Sequence, residues 1–193
     1  MIKATEKDKH LVVSILISAF KDLKEDNSIN FIVENGEDRI DRMKALMGYL
    51  FEKSMLFGEV YLSQNKNACL LLSFSEKEKV TLKTIALDIK LLFNCIGFKN
   101  LFNVLKRQKI IKDFYPKEAH IKPVIMGALK EAYGSGSAAR MVLRVMSQYK
   151  RNKKPVVLDT VSEYNIKLYQ KFGFKIIREE KTLGFPISLL RLN

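Results

Sequence analysis

Cysteine is scarce in this chain: Cys69 and Cys95 stand alone, outside any C-x-x-C spacing and away from a His pair. Two isolated thiols fit neither a disulfide framework nor a zinc site, so a reduced, cytoplasmic chain without a metal is expected. Proline is scarce as well, with 4 residues, and no low-complexity tract marks a linker. Residues 1–193 therefore read as one domain, long enough for a sizeable core. Long apolar runs are also missing. Leu11 to Phe20 is too short to cross a bilayer, and the apolar region from Leu82 to Leu105 is interrupted by Lys83, Asp88, Lys90 and Lys99. The first residues, M-I-K-A-T-E-K-D-K-H, carry both signs of charge, unlike a secretory signal. No membrane partner is expected.

Negative charge is in short supply. The chain has 34 Lys and Arg against 21 Asp and Glu, a formal net charge of +13. Lys99 to Lys112 and Arg140 to Lys154 contain no acidic residue at all. Such an excess attracts polyanions, or simply forms a solvated basic surface. The basic runs lack interleaved aromatics, and neither a helix-turn-helix nor a zinc pattern accompanies them, which argues against a nucleic-acid-binding module.

What is present is concentrated between Ile125 and Phe174. An apolar run, I-M-G-A-L, leads into a turn holding Gly134 and Gly136, and a periodic helix leaves it. A glycine- and serine-rich turn before a helix can gather backbone N–H groups around a phosphate, and the helix N-terminus adds partial positive charge. Further on, L-D-T-V-S-E-Y-N-I-K-L-Y-Q-K-F-G-F, residues Leu158 to Phe174, reads as a strand followed by a helix. Asn165 and Tyr169 lie one turn apart on that helix, on the same face.

Together these blocks resemble the GNAT family of acyl-CoA-dependent N-acetyltransferases. Tyr133-Gly134-Ser135-Gly136-Ser137-Ala138 fits the spacing of the family's Q/R-x-x-G-x-G/A loop, with Tyr133 in place of Gln or Arg. Met126-Gly127-Ala128 resembles the L-G-V that ends its fourth strand, although Lys130 stands where Pro is common. Asn165, Tyr169 and Gly173-Phe174 fall in the N-x-x-x-Y-x-x-x-G-F register. The helices inserted before the fourth strand, with Tyr49-Leu50-Phe51 and His120-Ile121-Lys122-Pro123, are similar to the puromycin N-acetyltransferase-like branch.

The resemblance implies an α/β (α+β) GNAT fold. Its single mixed, mostly antiparallel sheet of six or seven strands is splayed between strands four and five, with helices on both faces. Alternation and turn signals place strands at Ile2 to Ala4, Glu59 to Leu62, Ala68 to Phe74, Ile121 to Ala128, Pro155 to Thr160, Phe174 to Glu179 and Pro186 to Leu192. Helical spacing runs from Thr5 to Ala19, with a break at Asp26-Asn27-Ser28. It resumes from Asp38 to Leu56 and from Val80 to Ile111, the last broken near Gly97. Leu82, Ile85, Ile89 and Leu92 share one face of that region, and the apolar helices from Val80 to Ile111 are a candidate cover for an apolar acceptor.

The resemblance also implies acetyl-CoA as co-substrate and a primary amine of a small molecule as acceptor. Met126, Gly127 and Ala128 would bind the pantetheine arm through their backbone. Tyr133 to Ala138 would hold the pyrophosphate, with Arg140 or Arg144 near a CoA phosphate. Asn165 would contact the pantetheine, and Tyr169 would return a proton to the departing sulfur. The base is open between His120, Glu59, Glu163 and water. Phe20 and Phe31 are candidates for the acceptor region or for the core. A homodimer is compatible with the resemblance. A CoA-binding protein with this fold and little catalysis is the alternative reading, and a basic nucleic-acid-binding module is the third.

Overall fold

A computed structural model of the chain describes residues 1–23, 27–33, 35–150, 154–182 and 186–193. The strand β3 (Ala68–Phe74) is buried along its whole length, as a strand is when both faces of its sheet are covered. It lies inside a sheet of seven, ordered β1-β2-β3-β4-β5-β7-β6. The other strands are β1 (Ile2–Lys3), β2 (Gly58–Leu62), β4 (Ile121–Ala128), β5 (Val156–Thr160), β6 (Lys175–Glu180) and β7 (Ile187–Leu192). Every neighbouring pair is antiparallel except β4 and β5, which run parallel.

Strand periodicity sorts the side chains of β3 onto two cores. Cys69 and Leu71 pack with Val12, Ile15 and Leu16 of α1 (Lys9–Phe20) and with Met43, Met47 and Phe51 of α3 (Arg39–Phe57). Ala68, Leu70, Leu72 and Phe74 pack on the opposite face against Met141, Val145 and Tyr149 of α6 (Ser137–Lys150). Ile166 and Tyr169 of α7 (Glu163–Lys171) extend that second core. The expected sheet with helices on both faces is what forms.

A short helix, α2 (Ser28–Ile32), follows the first break. Asn27 caps it, its side-chain oxygen accepting from the N–H groups of Ile29 and Asn30 at 2.9 Å each. Asp26, expected at that break, lies outside the described residues, as do residues 151–153 of the second acid-free stretch. Between β3 and β4 the chain runs through α4 (Leu82–Leu91), a π-helical turn from Leu92 to Ile96, and α5 (Gly97–Phe114). Gly97 marks the break with a φ of 70°. No helix among the described residues is long and apolar enough to cross a membrane.

Leu82, Ile85 and Ile89 do share a face, but it points to solvent, with Leu82 87% exposed. Thr84, Leu87 and Leu91 are the buried positions instead. Apolar residues occupy more than one side of α4. The Thr81–Thr84 capping box fixes its first turn with Thr84 inward: the Thr81 N–H donates to Thr84 Oγ1 and the Thr84 N–H to Thr81 Oγ1.

Candidate active site

β4 and β5 touch in register only at Ile121 and Val156, where the Ile121 N–H donates to the Pro155 carbonyl at 2.9 Å. Beyond that point β4 keeps its pairing with β3 as far as Ala128, while β5 pairs with β7. The edge of β4 facing β5 from Pro123 onward is thus free of ladder hydrogen bonds with β5. Such an edge is a template for an extended ligand.

A cavity of about 600 Å³ occupies the opening, within the range of small-molecule sites. Ile121 to Met126 form one wall, and Val156 and Leu158 to Ser162 form the other. On the α6 side it reaches Val145, Asn165 and Tyr169; on the α1 side it reaches Phe20, Ser28, Leu50 and Arg107. The cavity therefore passes through the sheet from one face to the other. That is the shape needed to bring two substrates together from opposite sides.

Asn165 and Tyr169 reach the cavity because α7 starts immediately after β5. Ser162 caps α7 by accepting from the Asn165 N–H at 3.4 Å. The Tyr169 ring packs against Phe174 at 5.5 Å between centroids. Burial pushes the Tyr169 phenol above its ordinary value, so the group remains a proton donor over a wider range. Gly173, at φ 89°, closes α7, and the Phe174 N–H returns to the Tyr169 carbonyl at 3.1 Å.

The glycine turn sits at the N-terminus of α6, outside the residues that line this cavity. Gly134 and Gly136 both adopt the left-handed region, at φ 78° and 70°, which other residues enter at a cost. A Cβ on Gly136 would also lie 2.9 Å from Nη1 of Arg140, whose guanidinium folds back over the turn. The Ser135 hydroxyl donates to the Ala132 carbonyl at 2.7 Å, while the Ser137 N–H donates to Ser135 Oγ at 3.3 Å. Ser137 is buried, Ala138 is half-buried and Tyr133 is exposed. Arg144 is exposed one turn after Arg140, so the turn has a cationic flank.

Met126 lines the cavity, whereas Gly127 and Ala128 continue the same strand beyond it. The Cβ that Gly127 lacks would meet Ala19 Cβ and Leu16 Cδ2 at 3.1 Å each. Its small size serves the close approach of α1 to β4.

The candidate bases are dispersed. His120 is buried, with its ring stacked on Tyr115 at 5.5 Å and its Nδ1 2.8 Å from the Glu118 carbonyl, and it does not line the cavity. Glu59 is saturated by Lys3, Tyr61 and Tyr149. Glu163 is exposed at the start of α7. Phe20 lines the cavity and Phe31 does not.

Two polar residues on the cavity wall escaped the sequence reading. Asp159 is its only carboxylate among the described residues. It accepts from the Tyr115 hydroxyl, and Lys122 Nζ lies 4.0 Å away. Arg107, on α5, is the second. The sole trace of Asp159 in the sequence was an acid within the apolar run of β5. Among the described residues no group of His, Cys, Asp and Glu gathers as a metal site.

No family profile matches the chain, and no curated protein matches it in sequence. Solved structures do. An acetyltransferase from Corynebacterium glutamicum, described as histone acetyltransferase HPA2 and related acetyltransferase, is 15% identical with a TM-score of 0.66, covering 98% of this chain and 93% of its own. An N-acetyltransferase from Staphylococcus aureus is 16% identical with a TM-score of 0.55, covering 98% and 97%. A mosquito arylalkylamine N-acetyltransferase-like protein is 15% identical with a TM-score of 0.54, covering 98% and 97%. With the mixed seven-stranded sheet and its β4–β5 opening, these similarities identify the fold of this chain as that of the GNAT acetyltransferases.

Proposed function

We propose that residues 1–193 act as one acetyl-CoA-dependent N-acetyltransferase domain, transferring an acetyl group to a primary amine of a small molecule. One observation carries the reading: the cavity that opens along the free edge of β4 holds Tyr169, a half-buried phenol whose pKa is raised, and is open to both faces of the sheet. The residues present fit acetyl-CoA. The backbone of Met126 to Ala128 offers an unpaired strand edge to the pantetheine. The turn from Tyr133 to Ala138, with its two left-handed glycines, offers N–H groups and a helix N-terminus to the pyrophosphate. Asn165 lines the same cavity and would hold the pantetheine amide.

The co-substrate supplies an activated acetyl thioester, and the protein's work is to orient it and move two protons. The amine nitrogen forms a bond to the carbonyl carbon as the carbon–sulfur bond breaks. Tyr169 gives its proton to the departing sulfur. The excess proton of the amine goes to Asp159, the carboxylate on the cavity wall, in preference to His120, which the Tyr115 ring covers. Free, buried Cys69 and Cys95 support a reducing, cytoplasmic setting. A homodimer is compatible with the exposed apolar face of α4.

The test is release of free thiol from acetyl-CoA in the presence of a panel of primary amines. Release with at least one amine, lost in Gly136→Val together with acetyl-CoA affinity, is the expected result. A protein that binds acetyl-CoA and acetylates none of the panel supports instead the binding protein with little catalysis. One that does not bind acetyl-CoA ends both readings.

A further inference from the structure

Arg107 is an oddity of the acceptor side. It is 9% exposed, it lines the cavity, and its Nε makes no hydrogen bond among the described residues. Its Nη2 donates to the Ser28 hydroxyl, and its guanidinium stacks over Phe31 at 5.6 Å from the ring centre. It forms no ion pair with a carboxylate among the described residues. Burial pulls its pKa below the ordinary arginine value, and Asp159 and Tyr115 offset that only in part. A buried guanidinium with an idle donor is costly for the free protein, so its cost is recovered when an anion arrives.

The surroundings define that anion. Among the described residues that line the cavity, Arg107 and Lys122 are the only cations and Asp159 the only carboxylate, so the wall carries one net positive charge. One negative charge completes the balance; the double charge of a phosphate would exceed it. The wall on the α1 side, where Arg107 lies, is mostly apolar, with Phe20, Ile29, Ile32, Leu46, Leu50 and Ile111, and Asn27 and Ser28 as its polar members. A guanidinium fork meets a carboxylate with two parallel N–H···O bonds.

We infer that the acceptor is an amine that also bears a carboxylate on an apolar body, its carboxylate docked on Arg107 and its amine directed to Asp159. The inference rests on the acetyltransferase reading and narrows it from amines in general to amino acids with apolar side chains. Ser28 and Phe31 then act as positioning residues, holding Arg107 from α2.

The probes are phenylalanine, phenethylamine, which lacks the carboxylate, and 3-phenylpropionate, which lacks the amine. Each is titrated by calorimetry into the protein saturated with CoA, so that CoA binding is scored first. The expected result is that both carboxylates bind at least about tenfold more tightly than phenethylamine. In Arg107→Gln that preference disappears while CoA affinity is unchanged. Arg107→Lys, which keeps the charge and loses the fork, guards against a folding failure and retains part of the preference. Failure of CoA to bind overturns the acetyltransferase reading itself. CoA binding without a carboxylate preference overturns only the present inference, as does a preference that survives in Arg107→Gln, which would make Arg107 a structural tie to Ser28.

Discussion

In the proposed transfer the heaviest chemical demand falls on the Tyr169 hydroxyl. Its ring packs on Phe174, so Tyr169→Phe keeps the packing and removes only the proton. General acid catalysis contributes about 10²–10⁴-fold, and kcat should fall by at least the lower end of that range with acetyl-CoA affinity unchanged within about twofold. Steady-state kinetics paired with a binding titration separates the two, and an undiminished kcat would remove Tyr169 from the mechanism. The pH dependence has a definite sign. Burial raises the phenol above its ordinary value of about 10, so the protonated form that the proposed mechanism needs persists through that pH and is lost as pH rises through the raised value. The stability gained by burying the neutral phenol is likewise complete below about pH 10 and declines above it. The alkaline limb of the rate profile should be absent in Tyr169→Phe.

Among the elements, the junction of α1 with β4 governs the opening. Gly127 stands where a Cβ would press on Ala19 and Leu16 at 3.1 Å. Gly127→Val forces α1 outward or bends β4, and overpacking of this kind costs about 1–3 kcal/mol. Urea unfolding should register that loss as a lower midpoint with little change in slope; an unchanged midpoint would mean that α1 yields freely. The same strand shows what the sequence could reveal. β4 runs over Ile121–Ala128 as its apolar pattern and glycine end predict, because local alternation and turn chemistry decide a strand within one stretch of chain. α2 was missed, since five residues capped by Asn27 are too short to display helical periodicity. The Leu82 stripe of α4 was legible, whereas its buried positions Thr84, Leu87 and Leu91 were not, because which side of a helix is buried depends on its neighbours. Tyr169 and Asn165 were visible through their one-turn spacing. Arg107 looked like one more cation in an acid-free stretch, and its burial beside Asp159 comes from the convergence of α5 with β5.

Across the whole molecule the net charge of +13 has to be separated from the specific site. A field of that size draws in CoA phosphates, and it draws in duplex DNA by the same physics. The two differ in what remains when salt screens the field. DNA held by lysines alone loses affinity steeply, about 10³–10⁵-fold between 50 and 200 mM salt for six to ten phosphate contacts. Acetyl-CoA bound as proposed, by strand-edge hydrogen bonds, a glycine turn and an apolar cavity, would keep contacts that salt does not reach. Thermal unfolding with each ligand at two salt concentrations tells them apart. At about a hundred times its dissociation constant a ligand stabilises by about 2.7 kcal/mol, which is on the order of 5–10 °C for a chain of this length. The acetyl-CoA shift should survive at about 0.2 M salt with a modest decrease from weaker steering, whereas any DNA shift should vanish. If the DNA shift endured and the acetyl-CoA shift collapsed, the basic surface would be the functional site and the opening between β4 and β5 a structural feature of the fold.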